Sequence, residues 1–404
     1  MLRFTLALAV ALLSQAAIAQ TETAAPSLPP PASPGCENVP HSDHPHARIT
    51  NGKMNAVVFL PDIEKGYYRG PRFDWSGLVA CVSLNGHTFF GEWFNRYDPM
   101  INDAVTGPAE EFREPIGYDD AKPGDPFVKL GVGVVKKIDD QPYTIGGAYP
   151  ILDHGKWTFK VHKNSVTFRQ ELHSSLGYAY IYEKTLTLDK KADGLEITHS
   201  LKNIGTKPLT STVYDHDFFM LDNLPTEPGM QVHFPFVPVP GRPLPESVKI
   251  DGTTLKWIAP SEPHHFPSGE MTGFADKAAD FDFTFEDTQH GLGVEETSDT
   301  PIVKLFFWST PKTVCPEGFI GIHVPPGETQ RWSLHYRFFT SLPSAEKAAG
   351  LVSTDIYNRF ISESRGVFRQ RGQGPSAHLS MEVSLPFVIQ STGAYSYFLP
   401  WQEM

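Results

Sequence analysis

The chain has 404 residues, of which 40% are hydrophobic, 12% aromatic and 20% charged, so it carries enough apolar surface for a large packed core and is not disordered. Asp and Glu number 46 against 34 Lys and Arg, a formal net charge of -12 at pH 7. This acidity argues against nucleic acid as a partner. The 33 glycines and 36 prolines follow no repeat, which excludes collagen and long coiled coils and, beside many aromatic and β-branched runs, favours an all-β protein.

Residues 1–19 resemble a secretory signal peptide. Arg3 supplies the positive charge, Phe4 to Leu13 form an apolar stretch, and Ala17 to Ala19 match the small-residue cleavage pattern. The alternative is an uncleaved anchor, but the stretch is shorter than the roughly 20 apolar residues that span a bilayer. We therefore expect cleavage after Ala19, no stable membrane insertion, and a periplasmic or secreted mature protein.

Three further segments follow the signal. Residues 20–46 are rich in Pro, Ala and Ser, a composition typical of an extended linker. We expect an ordered domain over residues 47–343 and a C-terminal extension over residues 344–404, short and helical or irregular. Within that extension a helix is expected at 344–360, where Ser344 can cap the first turn.

The expected domain is dominated by apolar and polar residues that alternate with period two, the pattern of strands with one face on a core. Asn85-Gly86 between two such runs indicates a tight hairpin, and residues 163–165 join a second pair. Helical patterns between strands are almost absent, which excludes a parallel α/β sheet. The sequence therefore predicts large antiparallel sheets packed face to face. Three sets of alternating residues are each expected to share a face: Leu195, Ile197, His199 and Leu201; Phe281, Phe283 and Phe285; and Trp332, Leu334, Tyr336 and Phe338.

The three cysteines are too few for a disulfide framework, and their odd number leaves at least one thiol unpaired in a monomer. Cys81 lies in an apolar run and Cys315 precedes a candidate catalytic acid, whereas Cys36 lies in the loose linker. A bridge between Cys81 and Cys315 is one alternative that only geometry can test.

A histidine between two acids stands out in the segment TVYDHDFFML, where His216 is flanked by Asp215 and Asp217. Neighbouring carboxylates can hold a histidine tautomer or raise its pKa, which suits a general acid. The alternative is a histidine at a loop edge that makes structural hydrogen bonds.

About a hundred residues further on, Glu317 follows a mostly apolar run of residues, in the segment TVCPEGFIGIHV. Apolar surroundings raise the pKa of a carboxyl group toward the range of a general base. Taken alone, Glu317 would be an ordinary loop acid. Glu328, in a Pro-Gly-Glu turn, is expected to be structural or solvent-exposed.

In this order, the two segments resemble the aldose 1-epimerase (galactose mutarotase) superfamily. The run from Asp215 to Leu221 is similar to that family's N-H-x-Y-F-N-L segment, and the run from Cys315 to Gly318 to its glutamate segment, which a Pro-Gly-Glu turn follows. The likeness extends loosely over residues 50–342. It implies an antiparallel β-supersandwich in which His216 is the catalytic acid and Glu317 the base.

Two other segments carry side chains that suit sugar binding. In KGYYRGPRFDWSG, aromatic rings can stack on a sugar while Arg72 holds a substrate oxygen. In residues 90–114, Trp93 and the two consecutive acids Glu110 and Glu111 are weaker candidates for sugar binding. Asp215, beside His216, is another weaker candidate. The alternatives are an aromatic turn with a solvated arginine, and an acidic loop that is solvated or holds Ca²⁺; without a repeated Asp-x-Asp loop we predict no metal.

Zinc-protease, nucleotide-binding and esterase motifs are absent from the sequence. The expected function is therefore an exported enzyme acting on a mono-, oligo- or polysaccharide by acid-base catalysis, with aldose 1-epimerisation first and no cofactor, since both steps are proton transfers. One alternative is a lyase or hydrolase that uses the same cleft. The other is a non-catalytic glycan-binding protein.

Overall fold

The computed structural model describes residues 35–189 and 192–340, and most of them lie in antiparallel strands. The expected signal peptide, the first part of the linker and the extension at 344–404 lie outside these residues. Within them the one helix is a 3-10 turn at Ala278–Asp280, and no described helix is long and apolar enough to cross a membrane.

The strands are numbered in chain order: β1 His46–Thr50, β2 Met54–Phe59, β3 Val79–Leu84, β4 His87–Thr88, β5 Ala109–Phe112, β6 Pro126–Lys129, β7 Gly133–Lys136, β8 Ile151–Asp153, β9 Lys156–Val161, β10 Ser165–His173, β11 Ala179–Leu188, β12 Gly194–Asn203, β13 Leu209–His216, β14 Met230–His233, β15 Val239–Pro240, β16 Val248–Asp251, β17 Thr254–Trp257, β18 Ser268–Thr272, β19 Asp282–Asp287, β20 Leu292–Ser298, β21 Lys304–Ser309, β22 Val314–Val324 and β23 Thr329–Thr340.

Two large sheets form the domain. The ten-stranded sheet has the order β16-β17-β14-β19-β20-β23-β12-β11-β10-β9, and the six-stranded sheet has the order β15-β18-β21-β22-β13-β5. Smaller sheets are built from β1 to β4 and from β6 to β8. All of the strand pairs given for these sheets are antiparallel, so the expected all-β antiparallel fold class is confirmed.

The inner faces of the two large sheets share one apolar core, as face-to-face packing requires. Strand β12 alternates buried and partly exposed residues along most of its length, and β23 does so over its central part. The phenylalanine rings of Phe234, from the turn after β14, and Phe307 of β21 meet across the interior. The three predicted sets of residues on one face are all buried, so the period-two interpretation was correct.

Both predicted hairpins are present. Asn85 and Gly86 have φ values of 52° and 84°, the positive values that a type I′ turn requires, and they connect β3 to β4. Strands β9 and β10 pair around the turn at 163–165.

The N-terminal end of the described chain is tied to the domain by a disulfide between Cys36 and Cys81, whose Cα atoms are 5.7 Å apart. The alternative bridge between Cys81 and Cys315 is therefore wrong, because Cys315 lies in β22 of the six-stranded sheet as a buried free thiol. Val39 is buried as well. Residues of the tract expected to be a linker thus pack against the domain ahead of residue 47.

The disulfide closes a loop of 45 residues, which restricts the unfolded chain. We expect Cys36→Ser with Cys81→Ser to lower the free energy of unfolding by about 2–4 kcal/mol, measured by urea denaturation. A reducing agent should lower the stability of the parent protein by a similar amount and leave the double variant unchanged. Equal stability of parent and double variant under oxidising conditions would contradict this expectation.

Candidate active site

The structure brings His216 and Glu317 together on neighbouring strands of the six-stranded sheet. His216 ends β13, and Glu317 lies in β22. The two strands pair from Leu209 opposite Val324 to Val213 opposite Ile320, and three more steps in this register lead to His216 opposite Glu317. The Nε2 atom of His216 is 3.4 Å from Oε1 of Glu317.

The pair lies at the floor of a cleft of about 330 Å³. Each of the two side chains is only 6% exposed. The cleft is formed by the outer face of the six-stranded sheet together with loops that precede β5 and follow β7. Its other lining residues are Arg72, Trp93, Asp103, Arg113, Ile145, Tyr214, Ser268, Lys304, Phe306, Trp308 and Phe319.

Aromatic rings fix the position of the imidazole. The ring of His216 stacks on Phe218 with centroids 3.8 Å apart, and the edge of Trp308 meets it at 5.0 Å. Trp93 stacks on the other side of Phe218. Because the imidazole is held between packed rings, it has little freedom to turn away from Glu317.

Burial determines the protonation of the pair. It raises the pKa of Glu317 well above its ordinary value, against the opposing effect of nearby cations, of which Arg72 is the strongest. Burial also lowers the pKa of His216 well below its ordinary value, and Arg72 lowers it further. Both shifts favour the uncharged forms, which are a protonated Glu317 and a neutral imidazole.

Cys315 contacts the imidazole on its far side and was not among the predicted site residues. Its Sγ atom is 3.0 Å from Nδ1 of His216 and accepts the backbone N–H of Phe218 at 3.2 Å. The donor in the contact with the imidazole depends on the histidine tautomer, and the tautomer with its proton on Nδ1 leaves Nε2 free toward Glu317. The sequence does contain a signal for Cys315. It lies two residues before Glu317, and residues two apart on a strand share a face.

Arg72 is positioned by acids and a tyrosine, as a residue held to meet substrate would be. Its Nε atom donates to Oε2 of Glu111 at 2.8 Å, one NH group donates to the hydroxyl of Tyr214 at 3.1 Å, and another contacts Asp103. Glu111 also contacts Nζ of Lys129 at 3.3 Å. Predicted Arg72 and Trp93 therefore line the cleft, whereas Glu111 lies fully buried behind the arginine.

Glu110 and Asp215 face the opposite side of the sheet. They lie opposite each other in the pairing of β5 with β13, while Glu111 lies opposite Tyr214. Successive residues of a strand point to opposite faces, so Glu110 and Asp215 enter the core and are 1% and 2% exposed. Sugar contacts by Glu110, Glu111 and Asp215 are contradicted, because none of these side chains reaches the cleft.

Inside the core, Glu110 is part of an ionic cluster. Its carboxylate is 3.1 Å from both Nζ of Lys184 and Nε2 of His199, and although burial opposes them, these contacts hold its pKa below the ordinary value. His199 stacks on Trp332. The interpretation of His199 as a hydrogen-bonded core residue is therefore confirmed.

A second interior cluster surrounds the hydroxyl of Tyr336. Its oxygen lies 2.7 Å from Asp215, 3.0 Å from Asp217 and 3.4 Å from Glu296. Burial raises the pKa of all three carboxyls, and their mutual repulsion raises those of Asp217 and Glu296 further. In the described part of the chain no group of His, Cys, Asp and Glu is arranged to hold a metal ion.

No protein-family model matches the sequence, and no curated protein does. Among solved structures, the chain is similar to a galactose mutarotase-like protein from Clostridium acetobutylicum (14% identity, 75% of this chain and 98% of that one, TM-score 0.47). It is also similar to galactose 1-epimerase from Lactobacillus acidophilus (10%, 72% and 93%, 0.44) and to an aldose epimerase homologue from C. elegans (12%, 74% and 99%, 0.42). At these identities and scores the matches leave the reaction to be argued from the cleft.

The raised pKa values of the carboxyl groups around Tyr336 predict how the stability of the folded protein depends on pH. A carboxyl whose pKa is higher in the folded than in the unfolded protein makes the folded state bind more protons between the two values, so the free energy of unfolding falls as pH rises through that interval. We expect Asp217→Asn to reduce this fall, as measured by urea unfolding from about pH 5 to about pH 9.

Glu64→Gln, at an exposed position, is the matched control and should leave the slope unchanged. A slope in the Asp217→Asn variant that equals that of the parent protein would show that Asp217 does not retain its proton in the folded state.

Proposed function

We propose that the chain is an exported enzyme that interconverts the anomers of a sugar by acid-base catalysis at His216 and Glu317. The observation that carries the proposal is their contact of 3.4 Å at the floor of a cleft. The ring oxygen and the anomeric hydroxyl of a pyranose are bonded to the same carbon, so two groups in mutual contact can reach both oxygens.

The reaction needs one base and one acid at a time. Glu317 as carboxylate takes the proton of the anomeric hydroxyl while protonated His216 gives its Nε2 proton to the ring oxygen. The bond between the anomeric carbon and the ring oxygen breaks, and an open-chain aldehyde forms. After rotation about the adjacent carbon-carbon bond, the ring oxygen attacks the other carbonyl face and both proton transfers reverse.

The proton count of the pair matches this cycle. With one proton, the resting form is neutral Glu317 beside neutral His216, and a shift of that proton to Nε2 produces the carboxylate and imidazolium that the first step uses. Cys315 as acceptor for Nδ1–H is compatible with both forms. The aromatic side chains of Trp93, Phe306 and Trp308 supply faces for stacking on a sugar ring.

Action outside the cytoplasm is supported by the disulfide between Cys36 and Cys81, because such bonds persist in oxidising compartments. It agrees with the signal expected at residues 1–19.

Glycan hydrolysis in the same cleft is less well supported. Hydrolysis needs two carboxyl groups, one on each side of the scissile bond. In the described cleft the lining carboxyl groups are those of Glu317 and Asp103, and Asp103 is paired with Arg72.

We expect His216→Asn and Glu317→Gln each to reduce anomer exchange by about 10² to 10⁴-fold, the usual contribution of a general acid or base. Exchange would be followed by NMR over a panel of purified aldoses. His323→Asn and Glu328→Gln are matched controls, because they make the same changes at exposed positions beyond the cleft, and both should retain activity.

Exchange that survives both active-site substitutions would overturn the proposal. New reducing or unsaturated chain ends from polysaccharides would instead indicate cleavage. Saturable binding without either reaction would indicate a binding protein.

The pH profile of exchange should be bell-shaped, because only the pair with one proton can act. The lowered pKa of His216 sets the acidic limb below the ordinary range of histidine, and the raised pKa of Glu317 sets the alkaline limb above the ordinary range of a carboxyl group. Measurement of the exchange rate against pH tests both limbs. A rate that declines through the ordinary carboxyl range as pH rises would contradict the proton assignment.

A further inference from the structure

Positive charge is concentrated in the cleft although the whole chain is acidic. Three cationic side chains line it, those of Arg72, Arg113 and Lys304, and the lining acids are Asp103 and Glu317. The cationic side chains therefore outnumber the acids even when both acids are counted as charged. The cleft therefore has a net positive charge in a chain whose formal charge is -12.

The guanidinium group of Arg72 already has acidic partners, whereas the positive charge of Arg113 is only weakly neutralised. It follows β5 and donates its backbone N–H to Thr212 of β13 at 2.8 Å, which places it beside the sheet. The nearest acid is Glu111, 3.9 Å from its guanidinium. The carboxylate of Glu111 is shared with Arg72 and Lys129 at 2.8 and 3.3 Å, so one acid faces three cations.

Lys304 lies across the same face. It is opposite Phe319 in the pairing of β21 with β22, and its Nζ atom lies 5.2 Å from the centre of that ring. Its ion pair with Glu270, at 2.8 Å, joins side chains that are 40% and 63% exposed. Exposed pairs of this kind contribute little, so a ligand can replace Glu270.

Strand register places Lys304 one two-residue step from the acid-base pair, and Arg113, which follows Phe112 opposite Val213, one such step further along β13. Phe306 lies opposite Glu317, and Lys304 opposite Phe319; Tyr214 stacks on Phe319 at 4.2 Å. A step of two residues along a strand is about 7 Å, comparable to a pyranose ring with an exocyclic substituent. A sugar with its anomeric centre at His216 and Glu317 thus extends its far side over the rings of Tyr214 and Phe319.

We propose that Arg113 and Lys304 form a subsite for an anionic substituent, so that the preferred ligand is an acidic sugar rather than a neutral one. The inference rests on the proposed function, whose cleft and orientation of the sugar it uses. A carboxylate of a uronic acid and a phosphate ester share the required chemistry, because both accept hydrogen bonds from guanidinium and ammonium groups.

Binding of glucuronate, glucose and glucose 6-phosphate to the Glu317→Gln protein would be measured by calorimetry at low ionic strength, with anomer exchange in the parent protein followed separately. We expect an acidic sugar to bind about tenfold or more tightly than glucose, and added salt to reduce that preference. Preference for glucuronate or for glucose 6-phosphate identifies the source of the anion.

Arg113→Gln and Lys304→Gln should each reduce the preference, and together abolish it, while binding of glucose stays within about twofold. Lys249→Gln and Arg331→Gln remove exposed cations outside the cleft and should leave the preference intact. Equal binding of neutral and acidic sugars, or a preference that survives the double substitution, overturns the subsite and leaves the proposed epimerase standing. Failure of all sugars to bind or exchange overturns the proposed function itself.

Discussion

The pairing of β13 between β5 and β22 is the constraint on which the cleft depends. Antiparallel register and a two-residue side-chain period together decide which residues of three strands share a face. On the outer face they bring His216 opposite Glu317 and place Glu111 beside Tyr214. A slip of one residue in β13 would exchange the histidine with its acidic neighbours and put a carboxylate of the core into the cleft.

The same alternation explains why the core beneath the cleft is unusually polar. Glu110 and Asp215 enter an interior that is otherwise apolar, where an isolated charge would be very costly. Lys184 and His199 contact Glu110, whereas burial raises the pKa of the carboxyl groups near Tyr336, which share its hydroxyl. Such a network contributes little net stability in place of apolar packing.

The fold class, the hairpins and the two residues that meet in the cleft, His216 and Glu317, could be predicted from the sequence. Alternation fixes the faces of β12 and β23, an Asn-Gly pair fixes a turn, and the two motifs point to His216 and Glu317. Positions that depend on pairing between distant segments were not predictable. The pairing of β5 with β13 decides which of the two adjacent acids enters the core, and Cys36 pairs with Cys81 because the N-terminal tract folds back on the domain. No sequence motif connects Arg113 with Lys304, because segments far apart in the chain bring them to one face of the sheet.

Charge around the cleft links binding to the chemistry. Arg72, Arg113 and Lys304 all oppose the effect of burial on the pKa of Glu317, and Arg72 also lowers the pKa of His216. An anion bound between Arg113 and Lys304 would offset two of these cations, which favours retention of the proton by Glu317. The charges that would select the ligand therefore also act on the protonation of Glu317, so ligand binding and the proton balance of the pair are coupled through one face of the sheet.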